Sequence, residues 1–540
     1  MLLSPPPRRL LLLVLLLLPA AAPACARAVS CTGIALNVSA AQLDLYDPAF
    51  TAFEDAEHRS GRDALAFDLL AWLAAAAHGG ADVAEMLVTA RALAGEIAPV
   101  NVSVAAASDA WRQAWSALAA QASAGSESES EREKKMMEQT NERRRRIEEG
   151  GRYLLEKFAS KHLLSFPFLL LSYLSFFFSS SPSSPSSSSS SSFFRFQLAA
   201  EGMERRGRSA ASALLRAAMT QQLALRFSDH RTPAALAQFN ESVAWFDRAL
   251  ALRAPGVAAC SPVRVPMVPG PGQMYAYWCG AGPGAATVVA LSGFDGSNQN
   301  TYFEVGAPAA LRGFNVLMLE GPGQGMTARF EHLPFRPDYG VVLDSALAWL
   351  QVAQPAVNVS RVVLWGRSFG GYLAPRAAAT ATHAPAALVA DGGVFDFFQS
   401  TFCALPAALQ PLLASNPAKF DEYMLAGMNV SLAARSLLYY GFLGFNTSSP
   451  AELYTHFQAF TMAGLAARLA PLPMLVNAPA WDTLVGNSSG IFWDQVQPSH
   501  PASVLLRRDP LRGAGLHCGV GSTANEPDAI LDWLEYELGL

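Results

Sequence analysis

The feature that most restricts the fold is a glycine-flanked serine placed directly after an apolar run. Val362-Val363-Leu364-Trp365 leads into Gly366-Arg367-Ser368-Phe369-Gly370-Gly371 with no spacer. A chain that passes from strand to helix so abruptly needs neighbours without bulk, and Gly366, Gly370 and Gly371 supply them. Such a turn lifts the Ser368 hydroxyl above the end of a sheet and aims the positive end of the next helix at it. The G-x-S-x-G spacing alone arises by accident in roughly one chain in four of this length. Its weight therefore comes from its context, and the plain alternative is a surface serine in a glycine-rich turn.

That context is a series of short β-type runs alternating with helical ones from residue 262 onward. The runs predict strands at Val263–Val268, Met274–Trp278, Thr287–Ser292, Asn315–Leu319, Arg361–Trp365, Ala386–Ala390, Pro473–Ala478 and Ser503–Arg507. Helices are predicted at Tyr302–Leu311, Tyr339–Val352, Gly371–Ala379 and Pro527–Glu537. The first two strands read as a hairpin around Pro269-Gly270-Pro271-Gly272. Alternation of this kind predicts an α/β fold, a mostly parallel sheet flanked by helices.

A serine nucleophile needs a base, and the base needs an orienting acid. In this architecture the chain order is Ser, then Asp or Glu, then His. Asp482 follows the seventh strand, and His517 lies in a glycine-rich loop between the last strand and the last helix. Asp494 and His500 are rivals, but the first is far past its strand and the second precedes the final one. The remaining histidines fail the order and read as surface or packing residues. Backbone N–H groups must receive the developing oxyanion. Phe369 is the expected donor after the nucleophile, and Phe294, with Gly293 as alternative, is the expected donor from the loop after the third strand.

These blocks together resemble one branch of the α/β-hydrolases. The residues that carry the resemblance are Leu291-Ser-Gly-Phe-Asp-Gly296, Glu320-Gly-Pro-Gly-Gln-Gly325, Leu333-Pro-Phe-Arg-Pro-Asp338 and Gly366-Arg-Ser-Phe-Gly-Gly-Tyr-Leu-Ala-Pro-Arg376. The branch includes 2,6-dihydroxypseudooxynicotine hydrolase and the fungal heptaketide hydrolases of pigment synthesis. It implies a Ser368–Asp482–His517 triad that hydrolyses C–C bonds next to carbonyls, or esters, with no metal and no organic cofactor. The stretch Ala478-Pro-Ala-Trp-Asp482 is less acidic than the branch leads one to expect. A carboxylate assisting C–C cleavage is expected near the end of the sixth strand, where Asp391 and Asp396 are substrate-facing candidates; a helix cap or loop hydrogen bond is the competing role. Residues 397–470, with Phe397, Phe398, Phe402, Tyr439, Tyr440, Phe442 and Phe445, read as a helical lid over a small apolar or aromatic carbonyl substrate, or as ordinary core. A prolyl-oligopeptidase-like peptidase and an inactive hydrolase fold used for binding are the alternative functions.

Export is legible at the start of the chain. Arg8 and Arg9 precede the apolar run Leu10–Leu18 and the small-residue site Ala26-Arg27-Ala28, the pattern of a cleaved secretory signal over residues 1–28. Seven of the 14 asparagines stand in N-x-S/T sequons: Asn37, Asn101, Asn240, Asn358, Asn429, Asn446 and Asn487. Chance gives roughly two, so a secreted or lumenal glycoprotein is expected. Removal of the signal leaves five cysteines, an odd number that predicts at least one unpaired thiol. Cys260 and Cys279 flank the hairpin and are the pair to join first. A net charge of −5 argues against a nucleic-acid surface. A homodimer is compatible with the sequence, and no stable membrane span is expected.

Residues 122–197 fit none of this. From Leu163 to Phe194 every residue except Tyr173 is Phe, Leu, Ser or Pro, the amino acids of all-pyrimidine codons, which reads as a translated intron. Removing it joins helical patterns at 29–121 to those at 198–261, predicting an interrupted helical N-terminal domain. The hydrolase core is then 262–396 and 471–540.

Overall fold

The computed structural model describes residues 206–540, except 255, 256, 430, 483, 509–514 and 521–524, together with seven positions between Arg112 and Ala120. The signal, the helices expected before residue 112, the tract at 122–197, and Asn37 and Asn101 lie outside the described residues. The described positions of 112–120 are helical, with Trp115 and Ala119 buried.

Two helices precede the sheet, α1 (Arg206–Ala224) and α2 (Pro233–Ala251). Thr232 caps α2 by accepting from the Ala235 N–H, and Pro233 fills its first turn, where no backbone donor is needed. The hairpin β1 (Cys260–Pro266) and β2 (Gln273–Cys279) follows, in a register that sets Cys260 opposite Cys279. Those two cysteines form a disulfide, and β1 consequently begins three residues before the apolar pattern does. Cys403 is disulfide-bonded as well, while Cys518 is a free, buried thiol.

The remaining strands are β3 (Thr287–Leu291), β4 (Asn315–Glu320), β5 (Val362–Arg367), β6 (Ala387–Asp391), β7 (Met474–Pro479) and β8 (Val504–Arg508). They assemble in the order β1-β2-β4-β3-β5-β6-β7-β8. β2 runs antiparallel to β1 and β4, and all later pairs are parallel. The central strands β3 to β7 are buried at every position, as a parallel sheet covered on both faces requires.

Strand alternation divides their side chains between two cores. Val289, Leu291, Val362 and Leu364 face one layer, and Val288, Ala290, Val363 and Trp365 face the other. The first layer holds α6 (Gly340–Ala353) and α7 (Gly370–Thr380). The second holds α1, α2, and the helical run α3 (Asn298–Thr301), π-helical Tyr302–Gly306 and α4 (Ala307–Leu311). It also holds the C-terminal α14 (Asn525–Asp532). Phe246 of α2 meets Tyr277 and Tyr302 edge to face at 5.3 and 5.2 Å, locking the early helices to the sheet.

Between β6 and β7 lie α8 (Phe397–Cys403), α9 (Gln410–Ser415), α10 (Pro417–Gly427), α11 (Leu432–Phe445) and α12 (Pro450–Phe457). Two further helices, α5 (Gly325–Phe330) after β4 and α13 (Ser488–Val496) after β7, carry no clear periodicity in the sequence. Among the described residues no helix is long and apolar enough to cross a membrane.

Candidate active site

Ser368 sits between β5 and α7 with φ of +56°, a left-handed conformation that only a crowded turn imposes on a non-glycine residue. The crowding is visible in its neighbours. A Cβ on Gly366 would lie 1.9 Å from the Gly370 carbonyl oxygen, and one on Gly370 would lie 2.5 Å from that of Leu291. Backbone strain of this kind costs about 1–3 kcal/mol and persists only where the surroundings enforce it. Here the Ser368 N–H donates to the Asp391 carbonyl at 2.9 Å, tying the turn to the end of β6.

His517 Nε2 lies 2.8 Å from Ser368 Oγ, and its Nδ1 lies 2.6 Å from Asp482 Oδ2. The other carboxylate oxygen of Asp482 accepts from the Leu484 and Val485 N–H groups, both at 2.9 Å. The acid and base loops are stitched together: Trp481 N–H donates to Gly515 O at 2.8 Å, and Ala480 N–H to Arg508 O at 3.0 Å. Burial disfavours the imidazolium, yet Asp482, by charge and by hydrogen bond, holds His517 above its ordinary pKa. The rivals are elsewhere: His500 is engaged with the Ala502 N–H, and Asp494 lies inside α13.

The loop after β3 is braced from behind. Gln324 Nε2 donates to the carbonyls of Ser292 at 2.5 Å and Gly293 at 3.1 Å, while its own oxygen accepts from Gly321 N–H. That brace is the work of the Glu320–Gly325 block. Neither the Phe294 nor the Phe369 N–H has an acceptor among the described residues, which leaves both available to an oxyanion. Gly293, the alternative, is the residue of this loop pressed against Ser368; a Cβ there would lie 2.9 Å from the serine Cβ.

Residues 286–494 match the alpha/beta hydrolase fold family. This part of the chain has the alpha/beta hydrolase fold. Among curated relatives, the hydrolase LUC6 of Fusarium sp is 28% identical over 47% of this chain and 62% of its own length. The hydrolase acrC of Aspergillus aculeatus is 28% identical over 56% of this chain and 75% of its own length. The 20-hydroxy-prefusarin hydrolase FUS2 of Gibberella moniliformis is 26% identical, covering 47% of this chain and 62% of the relative. The chain thus spans about three fifths of the length of two of these relatives. Among solved structures, the 2,6-dihydroxy-pseudo-oxynicotine hydrolase is 19% identical, covers 64% of this chain and 85% of its own, and has a TM-score of 0.45.

Behind the nucleophile of this hydrolase fold is a charge cluster that the sequence did not announce. Arg367, 5% exposed, meets Glu304 at 3.2 Å, Asp391 at 3.1 Å and Glu526 at 2.8 Å, and donates to the Cys518 carbonyl at 2.7 Å. Asn477 joins Asp391 at 2.8 Å and also bonds Glu526. Burial, then the nearby Asp391 charge, pushes Glu526 well above the usual carboxyl range.

This cluster corrects the expectation for Asp391. Its side chain is fully buried, ion-paired with Arg367 and accepts a hydrogen bond from Asn477, so it does not face substrate. Asp396 is not substrate-facing either; it is the N-cap of α8 and accepts from the Gln399 N–H at 2.8 Å. Both took the capping or structural role because a carboxylate beside a helix start or a buried guanidinium is satisfied locally.

A cavity of about 110 Å³ opens beside the triad and is lined by Ser368 and His517. Of the seven aromatics expected to cover substrate, Tyr440 alone lines it. Phe397, Phe442 and Phe445 are buried core, and Phe398, Phe402 and Tyr439 pack against that core. Phe397 packs 4.0 Å from Phe369, so the segment between β6 and β7 anchors the serine turn through aromatic contact. His230, read from the sequence as an ordinary packing residue, is a cavity residue. No group of three or more His, Cys, Asp or Glu side chains among the described residues could hold a metal ion.

Proposed function

We propose that this chain is a secreted serine hydrolase that cleaves an ester, or a C–C bond next to a ketone, through an acyl-enzyme. The observation that carries the reading is the unbroken Ser368–His517–Asp482 hydrogen-bond chain at 2.8 and 2.6 Å, at the mouth of a cavity. Ser368 Oγ attacks the substrate carbonyl while His517 Nε2 takes its proton, and Asp482 stabilises the imidazolium. The Phe369 amide, with Phe294 or Gly293, holds the oxyanion. Collapse expels an alkoxide or an enolate carbon, which His517 protonates. Water then attacks the acyl-enzyme, again giving its proton to His517, and the acid leaves. The relatives named as hydrolases, one of them of 20-hydroxy-prefusarin, support hydrolysis as the reaction. Fluorophosphonate labelling mapped by mass spectrometry tests the reading: label on Ser368 supports it, and a folded protein that takes no label overturns it.

Because catalysis requires neutral His517, activity falls as pH drops through its pKa. That pKa is raised by Asp482, so the acid limb of the kcat/KM profile is expected above about pH 6.5, the ordinary imidazole value. Asp482→Asn removes the charge that opposes burial and is expected to move the limb to lower pH. A limb already at or below 6.5 in the wild type contradicts this electrostatic account.

The secretory part of the proposal is supported by exposure of every sequon asparagine among the described residues: Asn240, Asn358, Asn429, Asn446 and Asn487. Protein expressed through a eukaryotic secretory pathway is expected to lose mass in steps on treatment with peptide-N-glycosidase. Unchanged mobility refutes glycosylation at these sites.

A further inference from the structure

The cavity carries charged groups where an apolar substrate site was expected, and its lining cations outnumber its lining carboxylates. Three guanidiniums line it, those of Arg226, Arg329 and Arg367, against two carboxylates, Asp295 and Glu304. Arg226 is ion-paired with Asp295, and Arg367 meets Glu304 at 3.2 Å. Arg329 has no carboxylate within ion-pair distance among the described residues. It is 5% exposed, donates to the Gly325 carbonyl at 2.9 Å and lies 3.9 Å over the Phe239 ring. Glu320, whose charge acts on Arg329 without pairing with it, is fully buried and its oxygens are taken by the Asn298 and Met326 N–H groups. A buried charge without a partner is among the least favourable arrangements in a protein.

A second, independent observation points the same way. His230 lines this cavity, is 1% exposed, and neither of its ring nitrogens has a hydrogen-bond partner among the described residues. Its ring lies 3.9 Å from that of Tyr440, another lining residue. Burial, then Arg329 and Arg226, holds its pKa well below the ordinary value, so it faces the cavity as a neutral imidazole with one free donor. Buried polar atoms are nearly always satisfied in a working complex. An uncompensated guanidinium and an unsatisfied N–H in one small cavity are together the complement of an anionic oxygen.

We propose that Arg329 and His230 form a receptor for an anionic oxygen of the substrate, separate from the scissile carbonyl, so that the preferred substrates are carbonyl compounds bearing a carboxylate or an ionised enol. This rests on the reading of Ser368 as nucleophile, and it narrows the substrate class. Arg329 supplies charge and a planar pair of donors, and His230 supplies the remaining hydrogen bond. Asp295 keeps Arg226 from competing for the same oxygen.

The test compares mono-p-nitrophenyl glutarate, an anion, with its neutral methyl ester. Wild-type kcat/KM is expected to favour the anion at least about 10-fold, the usual weight of a hydrogen-bonded charge. Arg329→Gln should collapse that ratio toward one, and Arg329→Lys should restore part of it. A wild type that favours the neutral ester, or a ratio unaltered in a folded Arg329→Gln, overturns the proposal. A parallel pair, an ionisable 1,3-diketone and its 2,2-dimethyl derivative, tells carboxylate from enolate recognition.

Binding is read separately from turnover, in Ser368→Ala. Monomethyl glutarate is expected to raise its Tm, and dimethyl glutarate to leave it unmoved. The rise should vanish when Arg329→Gln is added. Should neither ester be hydrolysed while the Tm rises as described, the catalytic reading fails and the anion receptor stands. Hydrolysis of both esters at equal rates, with no such rise, fails the receptor alone.

Discussion

Replacing Ser368 with alanine is expected to lower kcat by about 10⁴- to 10⁶-fold and to abolish fluorophosphonate labelling. The expectation follows from the geometry of the hydroxyl: it is the oxygen 2.8 Å from His517 Nε2, positioned by a turn that its flanking glycines and the Ser368 N–H bond to the Asp391 carbonyl hold in a left-handed conformation. Alanine leaves the turn, the charges and the cavity in place, so folding and Tm should change little. The His517→Ala variant is expected to lose nearly as much, and the double variant hardly more than either. Residues that act in one proton-transfer step fail together rather than additively. A Ser368→Ala protein retaining a tenth of wild-type activity, or a double variant whose losses multiply, would show that some other group performs the attack.

Arg367→Met is expected to destabilise the fold by about 3–5 kcal/mol, the usual effect of stranding a buried charge partner. Among the described residues Arg367 is the one cation paired with Asp391 and Glu526, both fully buried, as well as with Glu304 at the cavity wall. Without it Glu304 and Glu526, whose pKa values burial already raises, stay buried only by holding their protons, with folded-state values further above the unfolded value of about 4.3. A group with a raised folded pKa contributes stability at low pH and loses it as pH rises through that pKa. The deficit of Arg367→Met should therefore be larger at pH 8 than at pH 5, by thermal unfolding of both proteins. The double variant Arg367→Met with Glu526→Gln should recover part of the loss at pH 8. Equal Tm values for wild type and Arg367→Met at both pH values would refute the charge cluster as a stabilising element.

What the sequence made legible follows from which interactions are local. All eight strands stand where apolar runs bounded by glycine and proline put them, with ends displaced by at most three residues. Ser368, Asp482 and His517 could be nominated from chain order, because the topology of a parallel sheet delivers strand-end loops to one edge. Asp391 was misread for the same reason: position at a strand end suggests the site, but its partners Arg367 and Glu526 are set by tertiary packing. Nothing near Glu526 marks it as a buried acid. His230 fails the chain-order rule for a base, and only three-dimensional proximity makes it a cavity residue. The helix α5 is six residues long and begins with glycine, too short for periodicity to declare it. A stripe of aromatic residues such as those in α8 and α11 is more often core than pocket on pattern alone, and packing sent most of them to the core.

The cavity wall is assembled from three parts of the chain. Gln222, Leu225, Arg226, His230 and Phe239 lie upstream of residues 286–494, the span that matches the wider hydrolase family, Arg329, Ser368 and Tyr440 lie within it, and His517, Cys518 and Val520 follow it. Substitutions in α1, α2 and the turn between them therefore alter one side of this wall without touching Ser368, Asp482 or His517.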